Sequence, residues 1–324
     1  MRFLGLSGGS PGGNTEQALL AALRAAQETA TAPAAISLIR LKELSIGSEA
    51  LDGHLPLPVV GQSSPTAGTV PDDRPFMLDQ IMEADAIILG APCMTRTIPW
   101  EVKRFQDSTL GPFQDVTMAK RLVDTGKGHL VDQRIFKPRV LALVTLGGAS
   151  TTEWAPFTLP LLHQVFFPLG AQIIDQMQVF GTGVPDSFLY NGEAVARAEK
   201  LGRNLARQAQ ATTDGEATYV GPRGMCPVCH LSMFNFVGRD AVDCATCGAK
   251  GRMGVDEDGK VVFVTDADGE SFSVLRRAGL EKHLRDLEHG FQVEEVSPKV
   301  SDIKEEFVKL GQNWVVAPPS GITR

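Results

Sequence analysis

No apolar run in this chain is long enough to cross a bilayer. The most apolar stretch, residues 155–170, is broken by Pro156, Pro160, His163 and Pro168, whereas a spanning helix needs about 20 apolar residues in succession. No secretory leader is expected either, because Met1 to Leu6 is too short for an apolar h-region and runs straight into a glycine loop. Positive charge is in deficit: 31 Lys and Arg stand against 38 Asp and Glu, for a net charge of -7. That balance argues against nucleic acid as the main partner. Cysteine is scarce. Its five copies fall into two C-x-x-C pairs and a lone Cys93, which reads as an intracellular metal site rather than a disulfide framework. A cytoplasmic location without membrane attachment is the expectation.

With these classes set aside, 324 residues suffice for one large domain and a small one. Apolar, β-rich runs at Arg2–Leu6, Ile36–Leu41, Ala86–Ala91, Val140–Leu146 and Gln172–Phe180 suit strands buried on both faces of a parallel sheet. Helical patterns lie between them, at Thr15–Thr29, Met77–Glu83, Pro99–Asp107, Pro156–Leu169 and Glu193–Ala209. The alternation predicts an α/β fold, a flavodoxin-like doubly wound five-stranded parallel sheet with its ligand at the carboxyl ends of the strands. Two long stretches, Ser45–Pro75 and Leu110–Lys137, interrupt the pattern, and one or both are expected to wall a substrate pocket. After a polar linker, Ala211–Gly224, comes the cysteine segment with a hairpin signal at Asp258-Gly259. Two more helical patterns follow, near Ser273–His289 and Ser301–Leu310. The expected division is 1–212, a four-cysteine zinc ribbon over 225–268, and a helical tail over 270–324.

The first strand opens into Ser7-Gly8-Gly9-Ser10-Pro11-Gly12-Gly13-Asn14-Thr15. Glycines allow a tight turn, and the free N–H groups at the start of the following helix make an anion site suited to phosphate. A P-loop is excluded because Gly-Lys-Ser/Thr is missing, and the glycine spacing does not match G-x-G-x-x-G. A nucleophile elbow fails at Ser10, since Pro11 has no N–H to donate to an oxyanion. Ser7 lies on the strand and has no acid and histidine partners following in order.

Gly9-Ser10-Pro11 with Gly13-Asn14-Thr15, then Ala91-Pro92-Cys93-Met94-Thr95-Arg96-Thr97-Ile98-Pro99, then Thr145-Leu146-Gly147-Gly148-Ala149-Ser150 resemble the three flavin loops of NADPH-dependent FMN reductases and related iron-sulfur flavoproteins. The resemblance spans about residues 1–210. It implies that Ser10, Asn14 and Thr15 hold the FMN phosphate. Pro92, Cys93, Met94, Thr95, Arg96 and Thr97 would line the ring and ribityl chain, and Gly147, Gly148 and Ser150 would close over the ring's other edge. It further implies NADPH or NADH as reductant and a homodimer with the site near the interface. Two departures stand out: Gly12 replaces the arginine the family usually carries after Ser-Pro, in a loop one residue shorter, and Met94 takes the place of a frequent tyrosine. The tail resembles that of family members with a C-x-x-C ribbon followed by a helix.

Cys226-Pro227-Val228-Cys229 and Cys244-Ala245-Thr246-Cys247 are two knuckles fourteen residues apart. Four thiolates on two tight turns make a closed tetrahedral site. The short spacing suits Zn²⁺ over a rubredoxin-type iron. With four basic residues against seven acidic ones from Met225 to Asp268, the ribbon reads as a metal-stapled structural unit, not a nucleic-acid binder. Cys93 reads as a small buried apolar group and His163 as a core histidine. Arg96 and Lys103 are open to either nicotinamide phosphates or ion pairing, and Glu153 and Trp154 are candidates to meet substrate. No side-chain acid or base is required. The expected activity is FMN-dependent NAD(P)H oxidation with a small acceptor such as a quinone, nitro compound or flavin. The alternatives are an electron-transfer flavoprotein reduced by a protein partner and a regulatory module that uses the ribbon for contacts.

Overall fold

The computed structural model describes residues 1–46, 72–110, 114–212, 217–291 and 298–314. Five parallel strands form the main sheet: β1 (Arg2–Ser7), β2 (Ala35–Arg40), β3 (Ala86–Pro92), β4 (Val140–Leu146) and β5 (Gln172–Val179). Their spatial order is β2-β1-β3-β4-β5, the doubly wound flavodoxin-like order. Alternate residues of each strand feed two cores. Leu4, Leu6, Ile87, Leu89, Leu141 and Leu143 face α2 (Arg74–Glu83), α3 (Trp100–Phe105) and α5 (Thr158–His163). Phe3, Ile88, Val140, Ala142 and Val144 face α1 (Asn14–Thr29), α6 (Ser187–Tyr190) and α7 (Gly192–Ala211). The period-2 alternation explains why one strand serves both layers.

The helices deviate from the sequence reading where proline or polar residues intervene. The stretch 156–169 forms α5 and then a separate 3₁₀ turn, Phe167–Leu169, with Pro168 in its first turn. Of the two long stretches, residues 47–71 lie outside the described residues. The second is not a loop: α4 (Val116–Asp124) occupies its middle, capped by Asp115, whose carboxylate accepts from the N–H groups of Thr117 and Met118. It reaches the sheet at the amino ends of β4 and β5. There Val116, Ile135, Phe136 and Lys137 line a cavity of about 280 Å³ with Gly170 and Gln172.

The edge of β5 is covered by the chain leaving α7. Val220 N–H donates to Ile174 O at 2.8 Å and Ala217 N–H to Gln172 Oε1 at 2.8 Å, which blunts an otherwise open sheet edge. A second, antiparallel sheet follows, in the order β6 (Phe234–Phe236), β7 (Ala241–Cys244), β8 (Lys250–Val255) and β9 (Val261–Thr265). It carries the cysteine cluster. By contacts the chain divides into residues 1–282 and 283–324. The tail holds α8 (Arg277–Phe291), which crosses that boundary, and α9 (Pro298–Trp314). No helix among the described residues is long and apolar enough to cross a membrane.

Candidate functional site

The parallel register brings three loops to the carboxyl edge of the sheet. Gly8 N–H donates to Gly90 O at 2.8 Å, Cys93 N–H to Leu146 O at 2.7 Å and Gly147 N–H to Val179 O at 2.7 Å, so each loop is pinned to the strand beside it. In the first loop the N–H groups of Ser10, Asn14, Thr15 and Glu16 have no acceptor among the described residues, and no side chain caps α1. Four unpartnered donors at the start of a helix are what a phosphate needs. Thr15 is buried beside them.

Asn14 is used differently from the other loop residues. Its amide donates to Thr182 O at 3.1 Å, Val184 O at 2.8 Å and Ser187 Oγ at 3.2 Å, and its Oδ1 accepts from Phe188 N–H at 3.0 Å. These bonds tie the segment after β5 to the first loop. Asn14→Ala should therefore destabilise the fold by about 1–3 kcal/mol, since several polar groups lose their partner together. The melting point should fall by roughly 2–10 °C, and an unchanged melting curve would show the tie to be idle.

Behind the loop Glu16 is buried. It accepts from Gly12 N–H at 3.2 Å and from Arg40 at 2.8 and 2.9 Å. The Arg40 guanidinium holds its carboxyl below the usual range. Lys42, in the turn after β2, donates to the exposed Ser10 hydroxyl at 3.4 Å. Nothing in the linear order links Lys42, just past the end of β2, to the first loop; only the fold brings them together.

In the second loop Thr95 and Arg96 adopt φ of 48° and 70°. Such left-handed residues cluster at ligand sites when they are not glycine. Met94 and Thr97 exchange backbone hydrogen bonds at 2.9 and 3.0 Å around them, leaving the N–H groups of Thr95 and Arg96 without acceptors among the described residues. The Thr97 hydroxyl is spent on Met94 O and Ile98 O. Pro92 and Cys93 are half-buried, and the Cys93 thiol donates to Trp154 O at 3.2 Å, clasping the second loop to the third. The third loop contributes buried Gly147 and exposed Gly148 and Ser150. The N–H groups of Gly148, Ala149 and Ser150 are again without acceptors among the described residues.

Around this rim stand exposed apolar side chains: Met94 at 54%, Trp154 at 59% and Phe157 at 39% of their surface. The Arg96 guanidinium lies 5.5 Å from the centre of the Phe157 ring, a cation–π pair. Lys103 is ion-paired with Asp107. Glu153 is fully exposed, its carboxyl held below the usual range by its own backbone N–H and the Thr151 hydroxyl. His163 is a core residue: it is buried, pairs with Gln176 and is pushed down to about 4 by desolvation. A cavity of about 310 Å³ lies instead between the start of β5 and the ribbon, against Tyr219, Arg223 and His230, and no residue of the three loops lines it.

A sequence profile of the NADPH-dependent FMN reductases matches residues 1–181, the span that carries all three loops. The chain belongs to that family. It is 83% identical over 320 residues to a protein of Aspergillus candidus named flavone synthase, with 99% of each chain covered. Among solved structures, one described as a flavone reductase is 24% identical and superposes with a TM-score of 0.75 over 99% of this chain and 100% of its own. That likeness extends the shared fold through the cysteine sheet. This family member is an FMN-dependent oxidoreductase, with FMN and NAD(P)H as the family's cofactors. The unpartnered amides on the three loops fit the flavin's polar groups.

The four cysteines are also assembled. Cys226, Cys229, Cys244 and Cys247 are buried, with all Sγ atoms within 4.8 Å of one another. Cys226 and Cys247 are 3.7 Å apart at sulfur, Cys229 and Cys244 3.5 Å. A tetrahedron with metal–sulfur bonds of about 2.3 Å has edges of about 3.8 Å, so the pocket suits one metal ion. The two knuckles repeat one geometry. His230 N–H donates to Cys226 O at 2.9 Å and Gly248 N–H to Cys244 O at 2.8 Å, with φ of 57° and 79° at His230 and Gly248. The non-glycine residue is supported by stacking of its ring on Tyr219 at 3.6 Å.

Proposed function

We propose that this enzyme works on the flavanone/flavone couple, taking two hydrogens from a flavanone to give the flavone. The observation that carries the reading is the end-to-end 83% identity to a protein named flavone synthase. The rim of Met94, Trp154 and Phe157 supports it, because a flat aromatic substrate needs flat apolar walls. Forming the C2–C3 double bond removes two electrons and two protons, a change that suits the two-electron chemistry FMN supplies when bound. The chain's own residues bind and orient. The amides of Ser10, Asn14 and Thr15, with the Thr15 hydroxyl, hold the phosphate, while the Asn14 side chain fixes the neighbouring segment. The amides of Thr95, Arg96, Gly148 and Ser150 meet the ring's polar edges, with Pro92, Cys93 and Thr97 shaping the second loop and Gly147 the third. Met94, Trp154 and Phe157 exclude water above the ring.

The test is a single turnover under argon. Purified yellow protein mixed with a flavanone should lose its absorbance near 450 nm and yield one flavone per flavin bleached. Without substrate, NADPH or NADH should bleach it as well. If neither does and only dithionite succeeds, the electron-carrier reading takes over. A flavin that NADPH bleaches but flavanone does not would point to a reductase for a different acceptor.

The same reading includes a structural zinc ion on Cys226, Cys229, Cys244 and Cys247. It also includes a homodimer, for which exposed Trp100, Leu189 and Tyr190 provide apolar surface.

A further inference from the structure

The first loop has no cation of its own. Residues 7–17 contain no lysine or arginine, and Glu16 sets a buried carboxylate directly behind the free amides. Arg40 neutralises that carboxylate, but its guanidinium also bonds Glu43 at 3.1 Å, so its charge is fully engaged. Two carboxylates and one guanidinium leave the surroundings of the loop negative. A phosphate monoester brings close to two further negative charges at neutral pH. The helix terminus offers only about half a positive charge against them.

Lys42 changes that balance. It is exposed, has no carboxylate partner among the described residues, and directs Nζ to the Ser10 hydroxyl at 3.4 Å. Its place is set by the turn Leu41–Glu43, anchored by buried Leu41, so the ammonium is delivered to the loop from a fixed point of the sheet. We infer that Lys42 is the cation that pairs with the FMN phosphate, with Ser10 accepting from it and orienting it. This rests on the placement of the flavin phosphate at the first loop. The ammonium acts as a point charge and completes the neutralisation that the backbone amides begin.

The experiment is a fluorescence-quenching titration of the deflavinated full-length chain with FMN and, separately, riboflavin. Lys42→Ala should weaken FMN about tenfold, the scale of one charge-assisted contact, and leave riboflavin affinity unchanged. Lys42→Arg should restore most of the FMN affinity, and added salt should narrow the gap between wild type and Lys42→Ala. Unchanged FMN affinity in Lys42→Ala would overturn the inference, as would an equal loss for riboflavin. A shift in NADPH over NADH preference at constant FMN affinity would also overturn it and assign the lysine to the nicotinamide phosphate. A wild-type chain that binds riboflavin as tightly as FMN would instead overturn the placement of the phosphate at this loop.

Discussion

Cys244→Ser should strip the ribbon of its metal and unfold residues 225–268, while the yellow flavin domain survives. The ribbon's core contains little besides its four cysteines: Val242, Ala249 and Phe263 are the other buried members. Burying these three, with Met225, Val228, Leu231, Phe234, Met253 and Leu275 partly buried against the cluster, stabilises by roughly 10 kcal/mol, far less than the conformational entropy of ordering some forty residues. In the proposed zinc ribbon, metal binding supplies the difference. A structural zinc site contributes about 10–16 kcal/mol, and with one thiolate replaced the remaining affinity no longer holds the two knuckles together. The main sheet has separate cores on its two faces, and none of the three flavin loops uses a ribbon residue. The ribbon's attachments are at the β5 side, where Gln176 donates to Cys229 O at 3.3 Å and His230 O at 3.1 Å and Gln164 donates to Thr246 O. Metal analysis should fall from one zinc per chain to none, limited proteolysis should cut within 225–268, and flavin content should stay near one. Loss of flavin together with the metal would make the ribbon part of the flavin fold. Iron at one per chain, with a band that bleaches on NADPH, would make it an electron relay.

Much of this architecture is legible in the sequence, for identifiable reasons. The five strands read clearly because both faces of the sheet are covered, so Ala86–Pro92 and Val140–Leu146 are nearly unbroken apolar runs. The cysteine cluster reads clearly because short ligand spacing encodes a knuckle locally. What fails to read is set by contacts between distant residues. Residues 110–137 look irregular in sequence because α4 is short, and its cap at Asp115 is visible only once the helix is known. Asn14 looks like a phosphate ligand, and only the fold shows its amide turned to residues 182–188. Lys42 and Arg40 reach the first loop across the β1–β2 pairing, where Ser7 lies opposite Arg40, a neighbourhood no linear motif contains. The aromatic rim likewise joins Met94 to Trp154 and Phe157 only through the β3–β4 pairing that sets their loops side by side.

Gly202→Ala should destabilise the flavin domain and loosen FMN, although alanine is the better helix former. Gly202 lies in the interior of α7, where α7 crosses α1 with backbone against backbone. A Cβ at this position would stand 1.9 Å from Ala22 O, 2.7 Å from its carbonyl carbon and 2.9 Å from its Cα. No rotamer change relieves a clash with main chain, so the two helices must separate. Glycine's helix penalty, about 1 kcal/mol, is what alanine would recover. Overpacking in a well-filled core costs about 1–3 kcal/mol and at times more, and a contact this short against backbone belongs at the upper end. Destabilisation therefore wins, by roughly 2 kcal/mol or more. The displaced helix is the one whose first turn offers the free amides of Asn14, Thr15 and Glu16, so a shift of a few tenths of an ångström also misaligns the phosphate site. Gly192 provides the control. It begins the same helix and nothing lies within 4 Å of its would-be Cβ, so Gly192→Ala should be neutral or slightly stabilising. Thermal unfolding of the two variants, read alongside FMN titration, separates the effects. Gly202→Ala should melt roughly 4–10 °C below wild type and bind FMN more weakly, with Gly192→Ala unchanged in both. If Gly202→Ala melts at or above wild type, the α1–α7 contact is not the close one described, and helix propensity decides at that position.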